Sequence, residues 1–148
     1  MTFVVPFDGT EQSCVGIRRA VELAPRSVRV VAFSVVPRKH AEWARERDLL
    51  DPGESWGNEL VISRLQERAH EESDSVSFQH TTVDRYAPTG KISHEIRSFA
   101  RDVDATMVFV GSIDAGGIVT SLQSVGSSVA SDEAYDVVLV RRTESVLD

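Results

Sequence analysis

Apolar residues along this chain form short β-rich runs that alternate with stretches of helical spacing from one end to the other. Phe3 to Phe7 is an apolar run closed by Asp8-Gly9-Thr10, a turn and helix-start cluster. From Glu11 to Ala24, Cys14, Ile17, Val21 and Ala24 recur at helical intervals, and Pro25 stops the helix. Val28 to Val36 is apolar except for Arg29 and Ser34, the pattern of a strand covered on both faces, and Pro37 closes it. Residues 38–56 are polar and irregular, holding Pro52, Gly53, Trp43 and Trp56. The spacing then predicts a helix over Asn58 to Glu72 with Val61, Leu65 and Ala69 inward, and Val76 to Val83 alternates as a half-covered strand does. Thr89 is placed to cap a third helix whose stripe is Ile92, Ile96, Phe99 and Val103. Thr106 to Val110 and Val137 to Val140 supply a fourth and a fifth strand.

Strands separated by helices of this length imply right-handed crossovers and a parallel sheet. The expected architecture is therefore α/β: one five-stranded parallel sheet, doubly wound, with helices on both faces. No repeat, low-complexity tract or linker divides the chain, so residues 1–148 read as a single domain.

Composition narrows the functional class. A formal charge of −7 argues against nonspecific nucleic-acid binding, because a duplex presents a dense row of phosphates. No apolar run approaches the ~18 residues of a membrane span. The opening MTFVVPFDGT lacks the basic start of a secretion signal. One cysteine, Cys14, excludes an internal disulfide framework and fits a reducing cytoplasm. It lies on the apolar stripe of the first helix, where packing outweighs reactivity. His40, His70, His80 and His94 are scattered, with no spacing suited to a metal.

One literal catalytic match exists. Gly53-Glu54-Ser55-Trp56-Gly57 fits the G-x-S-x-G nucleophile elbow, with Asp84 and His94 downstream in the order a hydrolase would need. The elbow requires a strand directly before the serine, and the charged, Pro-terminated ARERDLLDP is not one. A hydrolase built on Ser55 is the weakest of the readings.

Three loops meet beyond the carboxyl ends of such a sheet, where ligands of open parallel folds bind. They are Pro6-Phe7-Asp8-Gly9-Thr10, Val35-Val36-Pro37, and GSIDAGGIVTSLQSVGSS from Gly111 to Ser128. The third holds Gly111, Gly116, Gly117 and Gly126 among serines, so backbone N–H groups can approach an anion, assisted by the start of the following helix. A dinucleotide fingerprint belongs after the first strand, where only Asp8-Gly9-Thr10 stands. Gly90-Lys91-Ile92 lacks the hydroxyl and the upstream glycine of a P-loop.

The opening VVPFDGT, the second run ending FSVVP, the segment DRYAPTGKISHEIRSFARDVDATMVFVGS, the glycine-rich loop and the closing VVLVRR resemble, in this order, the universal stress proteins. The resemblance covers nearly the whole chain. It implies a cytoplasmic stress-response protein that binds ATP or a related adenine nucleotide, with Mg²⁺, and signals by conformation or through a regulatory protein partner. It implies that Pro6 and Asp8 meet the ribose side of the nucleotide and that Val35 positions adenine. Gly111, Ser112, Gly116, Gly126 and Ser127 would then cradle phosphate. No residue stands out as a general base, so any hydrolysis would be slow.

The family loop reads Gly, two residues, Gly, nine residues, Gly, then Ser or Thr. Here Asp114 stands where its second glycine belongs. One register shifts that glycine to Gly116, from which nine residues lead to Gly126-Ser127. The other keeps the spacing back from VVLVRR and places Gln123-Ser124 at the closing Gly-Ser, which degrades the loop. The second register supports an alternative: a dimeric interaction module that has lost the nucleotide. Val137 to Val140, apolar and at the sheet edge, would be an aggregation hazard unless covered. In the resembling family this strand pairs across a dimer, so a symmetric homodimer through Val137–Val140 is expected.

Overall fold

The structure, a computed structural model, describes residues 1–111 and 134–144. Within them five strands alternate with four helices: β1 (Thr2–Pro6), α1 (Glu11–Leu23), β2 (Arg29–Pro37), α2 (Ala41–Glu46), α3 (Asn58–Glu72), β3 (Ser77–Val83), α4 (Thr89–Asp102), β4 (Ala105–Gly111) and β5 (Asp136–Val140). The strands form one sheet in the order β3-β2-β1-β4-β5. Every pairing is parallel. The α/β expectation holds.

The pleat explains how runs that look uniformly apolar serve two cores. Side chains of a strand point alternately to opposite faces. Phe3 and Val5 of β1, Ala32 and Val36 of β2 and Phe109 of β4 face α1 and α3, where Cys14, Ile17, Val61, Leu65 and Ala69 meet them. Val4, Phe33, Val108 and Val110 face the other way, onto Ile96 and Ala100 of α4. Phe33 stacks on Phe99 with ring centroids 4.0 Å apart. Both faces of the central strands are thereby dry, which is why β1 and β2 carry no alternation.

Two local expectations need correction. Residues 38–56 are not wholly irregular: α2 occupies six of them. Thr89 is not a cap. Pro88 holds the N-cap position of α4 without a side-chain cap bond, and Thr89 is the first helical residue, its carbonyl accepting from the Ser93 hydroxyl at 3.2 Å. β5 lies at the sheet edge as anticipated, with Leu139 half exposed. Among the described residues no helix is long and apolar enough to cross a membrane.

Candidate functional site

From β1 the chain continues through α1 to β2 on one side, while β4 lies on the other, so strand order reverses between β1 and β4. Crevices at such reversals are where open α/β sheets hold ligands. The exit of β1 is firmly tied. Pro6 pairs in register with Phe33, and Phe7 N donates to the Phe33 carbonyl at 2.8 Å. The fully buried Ser34 hydroxyl donates to the Phe7 carbonyl at 2.6 Å.

Asp8 is the first residue released from these ties. Its Oδ1 accepts from Thr10 N at 3.1 Å and from the Thr10 hydroxyl at 2.6 Å, an Asx turn. Thr10 in turn caps α1, its hydroxyl accepting from Ser13 N. Between them Gly9 adopts a φ of +83°, and a Cβ there would stand 3.0 Å from Arg68 Nη1. That turn requires glycine.

Gly111, the last residue of β4, packs against the same first turn of α1. A Cβ on it would lie 2.3 Å from the Gln12 carbonyl oxygen, closer than any real contact. Asp8 and Gly111 thus flank one helical turn. Val35 stands near the end of β2, opposite Thr81 of β3, partly buried on the α4 side. Pro6, Asp8, Val35 and Gly111 therefore all lie at carboxyl ends of neighbouring central strands. Ser112, Gly116, Gly126 and Ser127, with Asp114, Gln123 and the expected last helix, lie outside the described residues.

The sequence reading missed Arg47. It follows α2, and its Nε lies 3.4 Å from Asp8 Oδ2. Its guanidinium sits 4.5 Å above the Trp43 ring, and Nη1 donates to the Trp43 carbonyl at 3.1 Å. α2 itself is held by His40, whose Nδ1 accepts from Trp43 N at 3.0 Å. The only advance signal was the helix-forming run AEWARE, too short and with a single buried position, Ala44, to show a stripe. Beside Arg47 a cleft of about 440 Å³ opens between α1, α2 and α3. Arg47 and Arg68 line it together with five carboxylates, Glu11, Glu46 and Glu72 among them, whereas Pro6, Asp8 and Val35 do not line it.

Other candidates resolve differently. Burial pushes the Cys14 thiol up to about 12, and the charges of Glu72 and Glu11 push the same way, so it is a poor nucleophile. No strand precedes Ser55: α2 and a turn do, and Ser55 is exposed. The elbow geometry is absent there. Instead, Glu54 accepts from Arg64 at 2.6 and 3.0 Å, a two-pronged ion pair that holds its carboxyl down at about 2. Among the described residues no three His, Cys, Asp or Glu side chains converge to hold a metal ion.

The universal stress protein family model matches residues 1–141. No curated protein matches the sequence significantly. Among solved structures, a universal stress protein in complex with cAMP is similar, with a TM-score of 0.59 and 18% identity, covering 97% of this chain and 98% of that one. The hypothetical protein MJ0577 gives 0.62 at 17% identity, covering 97% of each. A universal stress protein from Archaeoglobus fulgidus gives 0.54 at 18%, covering 94% and 92%. At these identities the likeness is one of fold.

Proposed function

The chain belongs to the universal stress protein family, and from that premise we propose that it is a regulatory protein binding ATP or a related adenine nucleotide. The observation that carries the reading is the meeting of the Asp8 turn and the Gly111 backbone at the first turn of α1, where the strand order reverses. A carboxylate leaving the sheet at the end of β1, beside the point where strand order reverses, suits a ligand that offers hydroxyl donors. A structural neighbour was solved with a nucleotide, cAMP.

In this reading Asp8, two residues after Pro6, accepts from the ribose hydroxyls and Val35 positions adenine. Gly111, Ser112, Gly116, Gly126 and Ser127 offer N–H and hydroxyl donors to phosphate. Mg²⁺ would arrive with the phosphates. The protein would act as a homodimer in the cytoplasm, joined through the β5 edge at Val137–Val140, where the half-exposed Leu139 favours a covered strand. Sedimentation at micromolar concentration should give twice the monomer mass, and a monomer would refute the seam.

A second reading has one observation in its favour. Both Asp8 oxygens are already engaged, one by Thr10 and the other by Arg47, as they would be in a module that no longer needs the ligand. Thermal-shift titration with ATP and Mg²⁺ separates the two: stabilisation that rises with nucleotide concentration supports binding, and an unmoved transition supports the module.

A further inference from the structure

Arg47 stands on the one carboxylate that the nucleotide reading needs, and the way it is held suggests a purpose. Its backbone is fixed. After α2, Asp48 N donates to the Arg45 carbonyl at 3.0 Å and Leu49 N to the Ala44 carbonyl at 2.8 Å, a helix end that closes with Asp48 in the left-handed region at φ +58°. Leu49 and Leu50 are buried beyond it, and Arg68 Nη1 donates to the Arg47 carbonyl at 2.7 Å. A non-glycine residue held at positive φ is a local strain that the surrounding packing must sustain. At this turn the Arg47 side chain lies beside Asp8.

The side chain, unlike its backbone, is held by exchangeable contacts. The 3.4 Å pair with Asp8 joins groups 22% and 39% exposed, so water and salt compete with it. Glu46 Oε2 also lies 3.7 Å from Nη1. The Trp43 face would keep the guanidinium nearby once Asp8 is surrendered.

We infer that Arg47 is a ligand-exchanged mask: it covers Asp8 in the empty protein and pairs with a nucleotide phosphate when the ribose takes Asp8. The inference rests on the nucleotide reading and adds to it a preference for phosphorylated ligands, set by a residue outside the glycine-rich loop. A ribose hydroxyl donating to Asp8 Oδ2 competes with Arg47 Nε for the lone pairs and the space at that oxygen. The released guanidinium matches phosphate geometry in its planar fork, so a nucleotide recovers the lost ion pair while a nucleoside does not. Arg47 thus penalises adenosine and spares ATP.

The test is calorimetric titration of adenosine and of ATP into the wild-type protein, Arg47→Gln, Arg47→Lys and Arg45→Gln. Arg45 carries the same charge on α2, but its guanidinium donates to the Glu54 carbonyl, away from Asp8. Arg47→Gln should tighten adenosine, weaken ATP and move the ratio of the two affinities about tenfold toward adenosine. Arg47→Lys, which keeps the charge but neither the fork nor the stacking on Trp43, should retain only part of the preference for ATP, and Arg45→Gln should leave the ratio alone. In a Trp56→Phe background ATP should also change Trp43 fluorescence, and Arg47→Gln should abolish that change. Adenosine binding by Arg47→Gln alone would support the mask in its strongest form. A ratio unmoved by Arg47→Gln, with binding intact, overturns the mask and leaves the nucleotide reading standing. No binding by any of the four proteins overturns that reading and this role with it.

Discussion

Gly111 stands so close to Gln12 that a Cβ on it would lie 2.3 Å from the Gln12 carbonyl oxygen. Because the obstacle is helix backbone, no rotamer change relieves it. The end of β4 and the first turn of α1 must separate instead. Gly111→Ala should therefore destabilise the fold by about 1–3 kcal/mol, the usual cost of overpacking, with or without nucleotide. Urea unfolding measures it. A midpoint equal to that of the parent would show that the two backbones are not in contact.

Cys14 gives a pH test of the α1 core. Its thiol, ordinarily near 9.0, is raised to about 12 by burial first, with Glu72 and Glu11 adding to the shift. The folded state therefore keeps a proton that the unfolded chain loses. The sign follows: this contribution is fully present below pH 9.0 and is lost as pH rises toward 12. Cys14→Ala should flatten the loss of stability over that window. At pH 8 a thiol reagent should label the native protein far more slowly than the urea-unfolded chain, and equal rates would contradict the burial.

The Glu54–Arg64 pair acts at the opposite end of the scale. Hydrogen bonds from Arg64 come first among the causes that lower Glu54 from 4.5 to about 2. A carboxyl held down in the folded state adds stability above 4.5 that disappears as pH falls through about 2. Comparing Glu54→Gln with the parent by thermal melting should show a deficit at pH 7 that closes in acid. A deficit that does not change with pH would mean that the pair is not what Glu54 supplies.

What could be read beforehand follows from how each element is stabilised. β1 and β2 announced themselves because both faces are buried, so Val4 and Val5 are equally apolar while serving different cores. α1, α3 and α4 were visible through stripes such as Val61, Leu65 and Ala69, since only a one-sided helix leaves that spacing. The six-residue α2 was not visible. Its stability comes from the His40 cap, the turn at Asp48 and the burial of Leu49 and Leu50, none of which is periodic. Thr89 misled because a hydroxyl before an apolar stripe resembles a cap, whereas the turn after β3 brings Pro88 to that position.

The candidate site was legible only in its strand-end members. Pro6, Asp8, Val35 and Gly111 sit where parallel topology must place them. Arg47 reaches Asp8 across 39 residues of sequence, a separation that neither spacing nor composition discloses.

The most direct test of the account is an isothermal titration of ATP with Mg²⁺ into the purified protein and into Asp8→Ala. Saturable binding with one nucleotide per chain, weakened at least about tenfold by Asp8→Ala through loss of a charged hydrogen-bond acceptor, is the predicted result. Absence of saturable heat in the wild-type protein, or equal affinity in the two, would contradict it.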